Sequence, residues 1–411
     1  MSTDEISDEI SNETRSEIRN EASSETSNET SNETHTESAQ RKKAARLDTL
    51  TGLRFPAALL VLLYHAALPF PEVRLFADDT AENRFTQLFG QAGALGVTFF
   101  FVLSGFVLTW SARTGDSAPS FWRRRFVKIV PNYVIAWALA MVLYAAAQTE
   151  AWREILSLLM VQVWVPDIAT NLAVNPPGWS LAVEAVFYLS FPFLLRGAQR
   201  IRADRLKYWI AGTVAAVFAT PLLTYALVPA GTEVMANEPS ASATQYWFAY
   251  VMPLPRVLDF ALGILVARAV MLGRWRNIGM VWSGVLLLVA YVIASNVPHL
   301  YAQRAVCLVP AALLIAAGAI ADDEGRFTLF RGRAMVWLGE VSFAFYLLHY
   351  VVLAYTRKVL GDDLYSTPVG VAVLLAEIAV ALLAAWALYA LVEKPVTRRW
   401  SRSRASRRTS T

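Results

Sequence analysis

LTGLRFPAALLVLLYHA, residues Leu50–Ala66, reads as the start of a membrane-crossing helix that nevertheless keeps an arginine at 54 and a histidine at 65. Eleven positions at 100° each make three turns and about 20°, so the two side chains share one helix face about 16 Å apart. Arg54 sits near one end of the run, where a long cationic side chain also snorkels to the interface with no further role. His65 lies deep in it. Ionisable groups at that depth are rare and mark sites, against the plainer reading of a histidine packed with a satisfied ring.

Working outward, the 411 residues are 55% hydrophobic with 21 Phe and 13 Trp, and only 17% are charged, against about a quarter in a soluble domain. Mean hydropathy is positive. Apolar runs of about 18 residues or more recur from Leu50 to Leu391, each able to cross a hydrocarbon core about 30 Å thick. Backbone groups in lipid must pair within their own segment, so the fold class is all-α: a polytopic integral membrane protein. Ten spans fit, at 50–69, 93–111, 126–148, 179–196, 208–228, 247–268, 278–296, 304–321, 334–356 and 367–392. The piece ILSLLMVQVWV, Ile155–Val165, is shorter than a span and predicts a short interfacial or re-entrant helix.

The positive-inside rule tests that count. One side collects Arg41, Lys42, Lys43 and Arg46, then Arg123–Lys128, the group from Arg196 to Lys207, Arg268 with Arg274 and Arg276, Arg326 with Arg331 and Arg333, and the run from Lys394 to Arg408. The other side holds Arg74, Arg84, Arg153, Arg357 and Lys358, most with acidic neighbours. Reading 155–165 as a span would invert every later loop. Both termini are therefore expected on the cytoplasmic side of the plasma membrane, and no connection after residue 50 is long enough for a second folded domain.

The net charge of +4 hides an acidic stretch before residue 40 and basic clusters that are topology signals first, so nucleic acid is not an expected partner. Glu recurs at every fourth position from 5 to 37. On a helix those glutamates would stack with like charge, and apolar content is too low for a core. Residues 1–46 read as a disordered tail, with His35 a bystander, and lack the basic start and apolar stretch of a signal peptide. Residues 47–396 form the membrane domain and 397–411 a basic cytoplasmic tail. The single cysteine, Cys307, supports no disulfide framework, thiol metal site or redox pair.

Several further residues carry chemistry. Glu184, in PPGWSLAVEAVFYLSFP (Pro176–Pro192), is a carboxylate inside a span and needs a basic side chain, a hydroxyl or a ligand. Trp179 and Tyr188 on the same helix read as an interface aromatic and a core tyrosine, or as site lining. In FFFVLSGFVLTW (Phe99–Trp110), Ser104 and Gly105 are small residues that let helices approach, with a polar site role for Ser104 as the alternative. Arg256 and Asp259, three apart in MPLPRVLDFALG (Met252–Gly263), either neutralise each other or line a site. His349, in VSFAFYLLHY, is structural or site lining; His299, beside a proline, has no case. The cluster FWRRRFVKIVP (Phe121–Pro131) determines topology, but with Arg54 it also gathers several cations that would suit a polyphosphate.

TGLRFPAALLVLLYH, FFFVLSGF, RRRFVKIVPNY, GWSLAVEAVFYLSFP, VLDFALGILVA, VSFAFYLLH and LVEKP occur in an order that resembles the membrane acyltransferase family 3, the ten-helix O-acyltransferases of bacterial and animal membranes. The likeness runs from about Leu47 to Pro395. It implies that His65 is catalytic, that Arg54 belongs to an acyl-coenzyme A site, and that Arg125 and Lys128 hold coenzyme phosphates. The second position of that basic pair is usually Arg, and Lys offers a point charge without the bidentate fork. Glu184 matches the family's acidic position and is expected to orient or assist His65. The chain is expected to stand alone, without the fused esterase-like domain of some members.

The resemblance thus implies direct transfer of a short acyl group, acetyl first, from cytoplasmic acyl-coenzyme A to a hydroxyl of a glycan, a glycolipid or a macrolide-type secondary metabolite, with His65 as general base and no metal. A transporter or flippase is the rival class, with Arg54, His65, Glu184, Arg256 and Asp259 along a pathway. The motifs do not repeat between the two halves, which counts against it. A silent member acting as a binding subunit is the third reading. Thioester cleavage that depends on His65 separates the enzyme from both.

Overall fold

The computed structural model describes residues 47–68, 73–113, 115–231, 241–361 and 363–400, so the expectations for the tail 1–46 and for 401–411 lie outside the described residues. All of the predicted spans are helices, and among the described residues the only extended pairing is an isolated bridge between Phe76 and Tyr365. The helices that place the site are α1 (Asp48–Ala66), α2 (Asp79–Phe89), α3 (Ala92–Trp110), α4 (Ala118–Leu143), α5 (Ala151–Leu158), α6 (Gly178–Arg200), α7 (Leu206–Leu227), α8 (Pro253–Met271), α9 (Met280–Ala294), α10 (His299–Arg304), α11 (Leu308–Asp323), α12 (Arg333–Leu360), α13 (Thr367–Leu388) and α14 (Lys394–Trp400).

Among the described residues, eight helical segments are long and apolar enough to cross a membrane. The other two predicted spans are weaker. α8 carries Arg256, Asp259 and Arg268 within its 19 residues, and α9 has only 15 residues. The predicted 247–268 span is also broken: Trp247–Val251 is a π-helical turn, and a regular helix starts only at Pro253. Pro253 has no backbone N–H to offer the Ala249 carbonyl, which accepts from Arg304 at 2.7 Å instead, and Arg304 also donates to the Pro255 carbonyl.

α1 stands between two apolar cores. Leu50, Leu53 and Ala57 join Val102 and Phe106 of α3, Leu262 and Val266 of α8, and Ile315 of α11. Ala58, Val61 and Leu62 join Tyr133 of α4, Phe345 and Leu348 of α12, and Leu374 and Ala381 of α13. The first turn of α1 is capped from afar. Asp322 at the end of α11 accepts from the Thr49 backbone N–H at 2.8 Å and from its hydroxyl at 2.7 Å.

α3 and α8 meet backbone to backbone. A Cβ on Gly105 would lie 2.0 Å from the Phe260 carbonyl oxygen, and one on Gly263 would lie 2.0 Å from that of Val102. The packing reading of the SGF motif is therefore carried by Gly105.

The 155–165 piece is not a span. α5 and its C-cap expose Trp152, Ile155 and Leu159, and a short irregular stretch follows, with Met160 and Val174 in the left-handed region at φ 57° and 67°. Side chains satisfy its backbone. Asn171 Nδ2 donates to the carbonyls of Gln162 and Val165 at 2.8 and 2.9 Å and the Tyr144 hydroxyl to that of Val174 at 2.7 Å, while Asn175 Nδ2 ties the stretch to the Leu347 carbonyl of α12 at 2.9 Å. Irregular backbone at membrane depth is tolerated where protein satisfies it in this way. The segment delivers Gly178, the first residue of α6, against the Tyr133 ring midway along α4.

The predicted 126–148 span begins earlier, at Ala118. Ser117 caps the helix through its side chain and Pro119 fits the first turn, so the arginine cluster is helical rather than a preceding loop. Arg125 and Lys128 lie seven and ten residues inside α4, three apart on one face.

Candidate active site

One cavity opens among five helices. Arg54 of α1 and Arg125 and Lys128 of α4 line it together with Glu184 and Tyr188 of α6. Phe100 and Phe101 of α3, Ser180 of α6, and Ser342 and Tyr346 of α12 also line it.

The three cations are crowded. The charges acting on Lys128 are Arg54, Arg125, Glu393 and Glu184. The Arg125 guanidinium lies over the rings of Phe121 and Tyr188, 5.5 and 5.9 Å from their centroids, and its buried Nε has no hydrogen-bond partner among the described residues. Like charges held together in a partly desolvated wall are costly unless something anionic joins them. Polyphosphate chemistry fits such a set.

Glu184 lies in the cavity wall beside the cations. Its Oε1 accepts from the Ser104 hydroxyl at 2.9 Å and from the hydroxyl of Tyr188 one turn along α6, and its charge acts on Arg125 and Lys128. The Trp122 indole N–H donates to the Tyr188 carbonyl at 3.0 Å, joining α4 to the same network. Ser104 does not itself line the cavity and reaches it through Glu184, beside the packing role of Gly105.

His65 is not part of the cavity wall. It is buried beyond the wall, with Nδ1 2.8 Å from the Val61 carbonyl oxygen and 3.1 Å from His349 Nε2. Tyr346 joins the two regions: it lines the cavity and lies edge-on to the His349 ring, centroids 5.7 Å apart. The Ser180 hydroxyl donates to the Pro177 carbonyl at 2.9 Å, so the Tyr346 hydroxyl, 2.7 Å away, is the donor to Ser180.

The remaining candidates fall elsewhere. Arg256 and Asp259 pair at 2.8 Å, fully buried, as their spacing allows, and Arg304 approaches the same carboxylate at 3.5 Å. Arg256 also lies over Phe101 and Tyr250, 4.9 and 4.7 Å from the ring centroids. Neither Arg256 nor Asp259 lines the cavity, so pairing is the reading their geometry supports. Trp179 is core, packed edge-on to Phe101 and tilted against Tyr250. Among the described residues no group of three His, Cys, Asp or Glu side chains is placed to hold a metal.

A family model described as the Acyltransferase domain, Acyl_transf_3, matches residues 47–390. The chain belongs to this acyltransferase family. Acyltransferase MdmB of Streptomyces mycarofaciens is 40% identical over 377 residues, covering 88% of this chain and 94% of that protein. Peptidoglycan O-acetyltransferase OatA of Listeria monocytogenes is 23% identical over 348 residues, 76% of this chain and 50% of that protein, so this chain spans half of the relative's length. No solved structure matches.

Sequence reasoning about this acyltransferase missed Tyr346, Ser180, Arg304 and Glu393. The first two lie inside quoted motifs, FAFYLLH and GWSLAVE, but neutral hydroxyls in apolar runs carry no signal of their own. Arg304 begins a run otherwise read as a span, and a lone intramembrane arginine was the sign to follow. Glu393 closes a π-helical turn, Tyr389–Glu393, that sequence periodicity does not show.

Proposed function

We propose that this acyltransferase moves a short acyl group, acetyl first, from acyl-coenzyme A to a hydroxyl of a glycan, a glycolipid or a macrolide-type secondary metabolite. The observation that carries the reading is the cavity: three cations gather in it, and it runs to Tyr346, one aromatic ring from the His349–His65 pair. Arg54, Arg125 and Lys128 hold the coenzyme phosphates, and the cation end of the cavity faces the cytoplasm, where the donor is made. The pantetheine arm extends past Ser180 and Tyr346 toward His65. Residues 47–396 carry the transfer, with 1–46 and 397–411 as cytoplasmic tails. The name of OatA supports O-acyl chemistry on a glycan.

Transfer is direct. The acceptor O–H proton passes to His65 as its oxygen bonds to the thioester carbonyl carbon; the C–S bond then breaks and the thiolate sulfur takes the proton back from His65. General-base help of this kind is worth about 10²- to 10⁴-fold in rate. Glu184 keeps Ser104, Tyr188 and the cation wall in register, and so positions the donor.

Thermal unfolding of detergent-purified protein with and without coenzyme A tests the donor site. At 100 times the dissociation constant the fold gains about 2.7 kcal/mol. A shift that vanishes in Arg125→Ala supports the reading, and no shift in well-folded wild type overturns it.

A further inference from the structure

His65 and His349 stand 284 positions apart and meet nitrogen to nitrogen, His349 Nε2 lying 3.1 Å from His65 Nδ1. The same His65 nitrogen is 2.8 Å from the Val61 carbonyl oxygen, one turn back on α1. A carbonyl oxygen only accepts, so Nδ1 carries the proton and shares it between Val61 and His349. A neutral imidazole has one ring proton. The lone pair of His65 is therefore on Nε2, and His349, facing an N–H, presents its own unprotonated nitrogen.

The arrangement around the pair is apolar and tight. His349 is fully buried, stacked on Phe345 with centroids 6.3 Å apart and edge-on to Tyr346, while His65 packs edge-on to Tyr64 and Tyr350 at 5.1 and 5.3 Å. Among the described residues neither ring hydrogen-bonds a carboxylate. In the familiar nucleophile–base–acid sets a carboxylate fixes the tautomer of the base and steadies its imidazolium. A carboxylate at this depth would need its own charge desolvated, which a second, neutral histidine does not.

We propose that His349 is the positioning residue of the reaction. It is a neutral acceptor that, with the Val61 carbonyl, holds His65 as the Nδ1–H tautomer with Nε2 bare. When Nε2 takes the acceptor proton, the Nδ1–H of the resulting imidazolium becomes a stronger donor, and the bond to His349 tightens at that moment. His349 gains no proton at any step, so the balance of the transfer is unchanged. The inference rests on His65 as the base, and it adds what sets that base.

The test compares His349→Leu, His349→Gln and His65→Ala by thiol release from acetyl-coenzyme A, using the acceptor that gives turnover in wild type. His349→Leu should lower kcat at least about 100-fold, with KM for acetyl-coenzyme A within about twofold of wild type. His349→Gln, whose amide oxygen can accept from Nδ1–H, should recover part of that loss. A readout independent of turnover is the scalar coupling across the N–H···N bond in ¹⁵N-histidine-labelled protein, present in wild type and absent in His349→Leu. Full kcat in a folded His349→Leu beside an inactive His65→Ala overturns this proposal and leaves the base assignment standing. An active His65→Ala removes both. A change confined to KM makes His349 a binding residue and also overturns the proposal. Should His349→Leu fail to fold, the coupling in wild type decides alone, and its absence overturns the pair.

Discussion

Ser104 and Glu184, eighty positions apart, are joined by a 2.9 Å hydrogen bond that ties α3 to α6 across the cavity wall. Through Glu184 it also holds the Tyr188 hydroxyl, and the Tyr188 ring lies under the Arg125 guanidinium. A single hydroxyl on α3 therefore reaches the cation cluster on α4 in three steps.

Ser104→Ala should lower stability by about 1.5 kcal/mol, the low end for a hydrogen bond to a charged group, because the site is only partly buried. Coenzyme A affinity should fall no more than about threefold, since Tyr188 still holds the carboxylate. Thermal midpoints in detergent check the first number, and an unchanged midpoint removes Ser104 from the supporting network.

Arg125→Ala and Lys128→Ala should each weaken coenzyme A binding about tenfold or more and flatten its dependence on salt, because each removes a cation from a partly desolvated cluster. Lys128→Arg should retain affinity, since a guanidinium supplies the fork that an ammonium lacks. Titration calorimetry at two ionic strengths reads both effects. Unchanged affinity in both alanine variants would mean that the phosphates lie elsewhere.

Glu393→Gln should act in the opposite direction. Glu393 does not line the cavity; its Oε2 accepts from Asn132 Nδ2 at 2.8 Å, and its charge acts on Lys128 and Arg54. In the empty protein it offsets those cations, and a polyphosphate competes with it for them. Neutralising it should raise coenzyme A affinity about threefold to tenfold while lowering the unfolding temperature of the unliganded protein. Weaker binding in a folded Glu393→Gln would show that the carboxylate places Lys128 for the ligand.

How much of this was legible from residues alone follows the physics of the signals. Arg54, His65 and Glu184 stood out because charge in an apolar run is costly, and Arg54 and Glu184 do line one cavity. His349 was a candidate as well, but its pairing with His65 was not legible: the two lie on different helices, and only tertiary packing decides that two nitrogens meet. The start of α4 was misread because RRRFVK resembles a loop until the Ser117 cap and Pro119 are weighed. The ends of the helix around Arg256 were misplaced for a related reason, since an apolar run does not reveal a π-helical turn whose carbonyls another helix satisfies.

Asp259→Ala should be the most damaging change outside the cavity. Asp259 is fully buried between Arg256 at 2.8 Å and Arg304 at 3.5 Å, so the cluster already holds two cations against one anion. Aromatic faces and backbone carbonyls supply the rest of the compensation for the two arginines. Removing the carboxylate strands both guanidinium groups where water cannot reach them, a loss of about 3–5 kcal/mol for a broken buried pair. Removing Arg256 with it, as Arg256→Met/Asp259→Ala, should return part of that loss, because one buried charge then leaves with its partner. Whatever folded fraction of Asp259→Ala remains should bind coenzyme A with wild-type affinity, since neither residue faces the cavity. Thermal unfolding of the single and double variants with coenzyme A titration separates the two roles: normal stability with lost binding would restore Asp259 to the site, and lost stability with normal binding makes it a pillar of the bundle.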